Sequence, residues 1–282
     1  MFDWVIRKEL LPFCLERYVV KYLSGLAYLN GTAKRLGGLY VKNIEADFVS
    51  NELDEKKIKS FYDDVYYQNI RYDKSVTKHN IRLAGKLQVS NLSNVLDVAC
   101  GTGDFLRACS KLGAEVSGVD LSENAISACE KMMPKGDFYA CSAEKLAFTN
   151  NSFDLITCLG SLEHFIDPVA ALKEMVRVAK PDAQFVILVP NKDFLTRKLG
   201  LFRGTYQVDA KEVVRTLDEW DDLFNLAGIH VEKRWKDLHV LSWSWVMQNG
   251  WKSAFFRGAQ ALALTVWPLK WQYQVFHLAR VK

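Results

Sequence analysis

At 282 residues, 49% apolar and 25% charged, the chain has the balance of an ordinary globular protein with one sizeable core, and its formal net charge of +4 is too small for a protein that tracks a nucleic-acid backbone. Cys14, Cys100, Cys109, Cys129, Cys141 and Cys158 show neither a C-x-x-C pair nor zinc-ligand spacing, so reduced core thiols in a cytoplasmic protein are expected. No apolar run approaches the roughly 20 residues that cross a bilayer, and the N-terminus lacks the charged-then-apolar pattern of a signal peptide.

Residues 1–58 read as helices punctuated by Gly25, Gly31 and Gly37-Gly38, an extension suited to covering a site or building a homodimer. The remainder, 59–282, reads as one domain. A helical stretch spans Glu55 to Gln88 with a break near Tyr72 to Thr77. Strands and helices then alternate: β near 94–99, α 103–112, β 115–119, α 122–132, β 137–141, β 153–158, α 168–179 and β 184–189. Apolar strands joined by helical crossovers predict an α/β fold whose parallel sheet is covered on both faces. Leu217 to Ala227 reads as an amphipathic helix closed by Gly228, and Ile229 to Trp235 as a sixth strand. A long stretch, 237–270, follows, holding Trp243, Trp245, Trp251 and Trp267, with Trp271 just after it. Beyond Asp237 there is no Asp or Glu, while Lys252, Arg257, Lys270, Arg280 and Lys282 remain. Such a composition suits either a lid packed over an apolar substrate or a peripheral contact with anionic lipid through 238–271.

The most informative stretch runs from Val95 through Asp97, Ala99, Cys100, Gly101, Thr102 and Gly103 to Phe105, with Val119-Asp120 following. An apolar run ends in a glycine-rich turn, where missing Cβ atoms let a ligand approach the backbone. A helix N-terminus then aims unpaired N–H groups at the same place. The carboxylate ending the next strand can accept two hydrogen bonds from a ribose diol. Dinucleotide folds require a third glycine, and Leu106 stands there instead; Asp104 would also repel a pyrophosphate. An acid beside the loop suits a nucleoside carrying an ammonium group and no phosphate, and Asp97 adds to that preference.

At these residues the chain resembles the class I S-adenosylmethionine-dependent methyltransferases, of the branch containing the ubiquinone and menaquinone biosynthesis enzymes and many natural-product methyltransferases. Further resemblance lies in Tyr139 to Phe148, Ser152 to Cys158, Leu162 to Phe165 and Glu174 to Ala183. The resemblance implies a Rossmann-like, seven-stranded, mostly parallel sheet. Its last strand would be antiparallel, a place that Gln272 to Val281 fits. It implies S-adenosylmethionine as donor, held by Asp97, Ala99, Cys100, Gly101, Thr102, Gly103 and Gly160, with Asp120 on the ribose and Leu121, Ser142 and Ala143 flanking ribose and adenine. The family often carries Asp at the Ser142 position, so that contact to the adenine amino group would be weaker here.

Methyl transfer from a sulfonium is an in-line displacement that needs positioning and a nucleophile in the right protonation state. His164, past the fourth strand, is the candidate base, with Glu163 beside it as the second catalytic candidate. Some quinone-pathway O-methyltransferases hold a divalent metal through Glu-x-x-Glu-His at this point; Gly160 stands at the first position, so no metal is expected. The expected activity is methylation of a hydroxyl oxygen on a small hydrophobic or lipid-linked molecule. C- or N-methylation on the same scaffold, and a membrane-associated binding protein without turnover, are the alternatives.

Overall fold

The computed structural model describes residues 55–68, 75–200, 212–241, 246–247 and 251–282, which belong to one compact unit. The expected extension up to residue 54, Trp243 and Trp245 lie outside these residues.

Seven strands form one sheet in the order β3-β2-β1-β4-β5-β7-β6. They are β1 (Asn94–Val98), β2 (Glu115–Asp120), β3 (Asp137–Ala140), β4 (Phe153–Leu159), β5 (Ala179–Pro190), β6 (Ile229–Lys236) and β7 (Gln274–Val281). Six run in one direction. β7 is antiparallel to both of its neighbours and slots between β5 and β6. This is the sheet expected from the resemblance.

Helices cover both faces because the strands alternate two apolar sets, as a period of two demands. Leu96, Val98, Ile156, Phe185, Ile187 and Val189 point to one side. There they meet Leu172 and Met175 of α5 (Pro168–Val178) and Trp220 and Phe224 of α7 (Leu217–Leu226). Val95, Val116, Leu155, Val186 and Leu188 point to the other side. They meet Leu83 of α2 (Lys78–Lys86), Phe105 and Leu106 of α3 (Asp104–Lys111), and Ile126 and Cys129 of α4 (Glu123–Met132).

Helix starts are written locally. Thr77 caps α2, Ser122 caps α4, and Asp167 caps α5 ahead of Pro168 at its first turn. Thr216 and Glu219 form a reciprocal capping box on α7. β5 begins five residues earlier than expected: Pro181 keeps the chain extended after α5, and the pairing with β4 shifts register between Phe153 and Leu155. Near the beginning of the described residues, α1 (55–61) runs into a π-helical turn over Tyr62–Tyr66, closed by Tyr67 N–H on the Tyr62 carbonyl at 2.7 Å. The helical stretch thus ends sooner than its composition suggests. After the short α6 (Leu195–Lys198), the long stretch contains α8 (Trp251–Val266).

Candidate functional site

Strand order reverses between β1 and β4, and the ends of β1, β2, β3 and β4 open onto a cleft. A crevice at such a reversal is where open α/β sheets take ligands.

The loop after β1 turns through positive φ at three alternate residues: Ala99 (59°), Gly101 (53°) and Gly103 (74°). Only glycine does this freely, so Ala99 is a strained position at the mouth of the cleft. The loop is held by its own backbone, with Cys100 N–H donating to the Val119 carbonyl and Gly103 N–H to that of Cys100, both at 2.9 Å. A Cβ on Gly103 would lie 2.6 Å from Met133 Cε and 2.9 Å from Cys129 Sγ, so this glycine admits α4. A Cβ on Gly101 would lie 2.7 Å from the Tyr67 hydroxyl.

Asp120 closes β2 and lines the cleft. Gly101 N–H donates to Oδ2 and Ser122 N–H to Oδ1, both at 2.9 Å. Burial raises its pKa, and those two N–H groups oppose the rise. Each carboxylate oxygen keeps capacity for a further donor. Leu121, Ser142, Ala143, Ala99 and His164 line the same cleft.

The other residues singled out from sequence stand around it. Asp97 is buried in β1 and accepts from Thr157 Oγ1 at 2.6 Å; burial pushes its carboxyl up to about 7, against that hydrogen bond. Cys100 lies under the loop beside Cys129, whose hydrogen bond, together with burial, raises the Cys100 thiol far above its ordinary value. That makes it a poor nucleophile. Thr102 sits at the exposed edge of the loop beside Asp104, and Gly160 takes a positive φ of 76° at the end of β4.

Glu163 and His164 fall in a single 3-10 turn, Leu162–His164. His164 reaches the cleft; the Glu163 carboxyl does not line it and is only 4% exposed. Its Oε2 has no hydrogen-bond partner among the described residues. Burial, reinforced by the negative charge of Glu212, pushes it up to about 8, so it carries a proton at neutral pH. Linkage makes this a stability statement. The folded state keeps the proton between about 4.5 and 8 while the unfolded state loses it, so stability falls as pH rises through that window. The full shift corresponds to on the order of 3–5 kcal/mol. Glu163→Gln should therefore melt at nearly the parent temperature at pH 5 and well above it at pH 8. Parallel melting profiles for parent and variant across this range would show that Glu163 is ionised in the fold.

Tyr62, Tyr66 and Tyr67 belong to the helical stretch read from the sequence, where aromatic residues usually mark packing. Tyr62 and Tyr67 in fact line the cleft, with Ile58 and Glu55 from the preceding turns. Their rings stack at 6.1 Å, and burial keeps both hydroxyls protonated. The segment is clasped to α4: Asp63 Oδ1 accepts from Ser122 Oγ at 2.5 Å and from Asn124 N–H at 3.3 Å, and Lys59 pairs with Glu123 at 2.5 Å. Ser122 is also the N–H donor to Asp120, so the clasp and the carboxylate share one residue.

A seven-stranded α/β sheet with such a cleft places the chain among nucleoside-binding enzymes of methyltransferase type, and solved structures bear out the fold. A chain solved in complex with the Haloferax volcanii Trm112 methyltransferase activator superposes with a TM-score of 0.56 at 18% identity, over 72% of this chain and 89% of that one. An Aquifex aeolicus SAM-dependent methyltransferase gives 0.50 at 18% identity, over 72% and 89%. A methyltransferase-domain family model matches residues 96–187. The demethylmenaquinone methyltransferase of Staphylococcus carnosus is 32% identical over 178 residues, 58% of this chain and 71% of that protein. The ubiquinone biosynthesis O-methyltransferase of Aromatoleum aromaticum is 32% identical over 132 residues, 45% and 53%. The chain belongs to the class I S-adenosylmethionine-dependent methyltransferases.

Proposed function

We propose that the chain transfers a methyl group from S-adenosylmethionine to a hydroxyl oxygen of a small hydrophobic or lipid-linked acceptor, with quinone precursors as the acceptor class. The observation that carries the donor assignment is the character of the cleft. Asp120 faces it with both oxygens already oriented by backbone N–H groups, and among the described residues its lining includes Glu55 and Glu144 but no Lys or Arg. A sulfonium nucleoside suits such walls, and a dinucleotide pyrophosphate would be repelled.

In this reading Asp120 accepts from the two ribose hydroxyls while Leu121, Ser142 and Ala143 flank the base. Gly101 leaves room beside the Tyr67 hydroxyl for the amino-acid end, and Ala99, Cys100, Thr102, Gly103 and Gly160 shape the surrounding backbone. Asp97 adds negative charge beneath the loop when ionised. The bound donor supplies a methyl group on positively charged sulfur. The chain's own residues orient the acceptor, exclude water with Tyr62 and Tyr67, and remove the hydroxyl proton at His164.

The acceptor class is supported by the relatives, whose names place them in menaquinone and ubiquinone biosynthesis. Carbon methylation is a second reading, favoured by a ubiquinone/menaquinone biosynthesis C-methyltransferase of Burkholderia vietnamiensis that is 40% identical over 101 residues, 33% of this chain and 42% of that protein. Calorimetric titration should give micromolar binding of S-adenosylhomocysteine and none of NAD. Incubation with S-adenosylmethionine and short-chain hydroquinones, followed by mass spectrometry, then locates the methyl group. A ring-carbon product replaces the first reading with the second, and no turnover of any hydroquinone removes the acceptor class. His164→Ala should lower kcat about 10²- to 10⁴-fold while leaving affinity for S-adenosylhomocysteine unchanged. Full activity would mean that another group takes the proton.

A further inference from the structure

α8 has an inner and an outer side. Ala261 is 3% exposed, while Phe255, Leu262 and Val266 are 77%, 68% and 78% exposed. At about 100° per residue the last three fall within roughly 40° of one another, a single stripe about 16 Å long. The inner side is pinned to the sheet at its C-terminal end, where helix carbonyls lack partners of their own. Lys236 Nζ donates to the Thr265 carbonyl at 2.7 Å, and the buried Gln272 amide donates to those of Leu264 at 2.8 Å and Trp267 at 3.2 Å. The stripe is thus presented in a fixed orientation. Leu241, 45% exposed, lies in a further 3-10 turn (His239–Leu241) that packs against α8.

The segment that carries the helix has no acid: from Leu238 to Lys282 there is no Asp or Glu, and Lys252, Arg257 and Lys270 lie on or just after the helix in sequence. Lys270 is exposed, next to the half-buried Trp267. No helix among the described residues is long and apolar enough to cross a membrane. Apolar residues along one face, an exposed lysine and an indole just past its end, and a segment without acids to repel phosphate are the features of a helix lying in a bilayer interface.

We propose that the outer face of α8 docks the protein on an anionic lipid surface. The complementarity of an acid-free basic segment to lipid phosphate selects this occupant over a second copy of the chain, whose matching face would carry the same positive charge. Docking by α8 would carry the domain to a bilayer, where a lipid-linked acceptor is dissolved. The link to the acceptor rests on the function proposed above; lipid binding itself does not.

The test is co-sedimentation of the full chain with vesicles of phosphatidylcholine alone or mixed with phosphatidylglycerol, at low and physiological salt. The full chain should sediment with the mixed vesicles only, less so at the higher salt. Leu262→Glu/Val266→Glu should lower the bound fraction about ten-fold, and Lys270→Glu should lower it less. Melting temperature and S-adenosylhomocysteine affinity of these variants should match the parent, which separates loss of docking from loss of fold or of the donor site. The proposal is overturned if the full chain stays in the supernatant, if the α8 variants sediment as well as the parent, or if light scattering shows a dimer that they dissolve.

Discussion

Asp120→Ala is expected to weaken S-adenosylhomocysteine binding by about 30- to 150-fold, or about 2–3 kcal/mol, the size of a lost pair of charge-assisted hydrogen bonds. The residue sits where two demands meet. Its oxygens fix the loop through Gly101 and the start of α4 through Ser122, and in the proposed complex they hold the ribose. Alanine also leaves those two N–H groups without acceptors, so a modest fall in melting temperature should accompany the loss of affinity. Asp120→Asn keeps one acceptor oxygen and should fall between parent and alanine. Titration calorimetry decides: parent-like affinity in the alanine variant would mean that the ribose is held elsewhere.

Trp220→Ala should be the most destabilising single truncation among the described residues, at about 3–5 kcal/mol, and should lower the melting temperature by roughly 10 °C. The indole is fully buried between sheet and helix, stacks on Phe224 at 6.4 Å between ring centres and donates its N–H to the Pro190 carbonyl at 2.9 Å. Removal opens a cavity that the capped helix α7 is too constrained to fill, and it strands a carbonyl at the end of β5. Trp220→Phe restores most of the volume without the donor, so the difference between the two variants isolates the hydrogen bond, expected near 1 kcal/mol. Chemical denaturation would contradict this account if alanine and phenylalanine cost the same.

What could be read from the sequence was whatever the backbone demanded. The sheet was legible because parallel strands must be apolar on both faces. The donor side was legible for a related reason: close approach and a ribose acceptor translate directly into Gly101, Gly103 and Asp120. The acceptor side imposes no such residue types. Tyr62 and Tyr67 are five apart, which on an α-helix places them about 140° around the axis and reads as packing on two sides. The π-helical turn widens the helix at that point and lets both line one cleft, and no local motif announces it. Glu163 and His164 were picked as a pair, yet a 3-10 turn sends the histidine into the cleft and the carboxyl into the interior. Adjacent residues on so tight a turn point in different directions, and only coordinates reveal which is which.

The position of β7 has a consequence for how the chain is made. β6 touches the rest of the sheet only through β7, and β7 comes after every other strand in the chain. During synthesis, β1 to β5 can pair as they emerge, but β6 has no neighbour until Gln274–Val281 is free to slide between it and β5. Until then two strand edges stay open, and Phe276 and Ala279 have not yet delivered their side chains to the two sides of the core. Until that strand arrives the nascent chain presents open strand edges, the kind of surface that pairs with other chains.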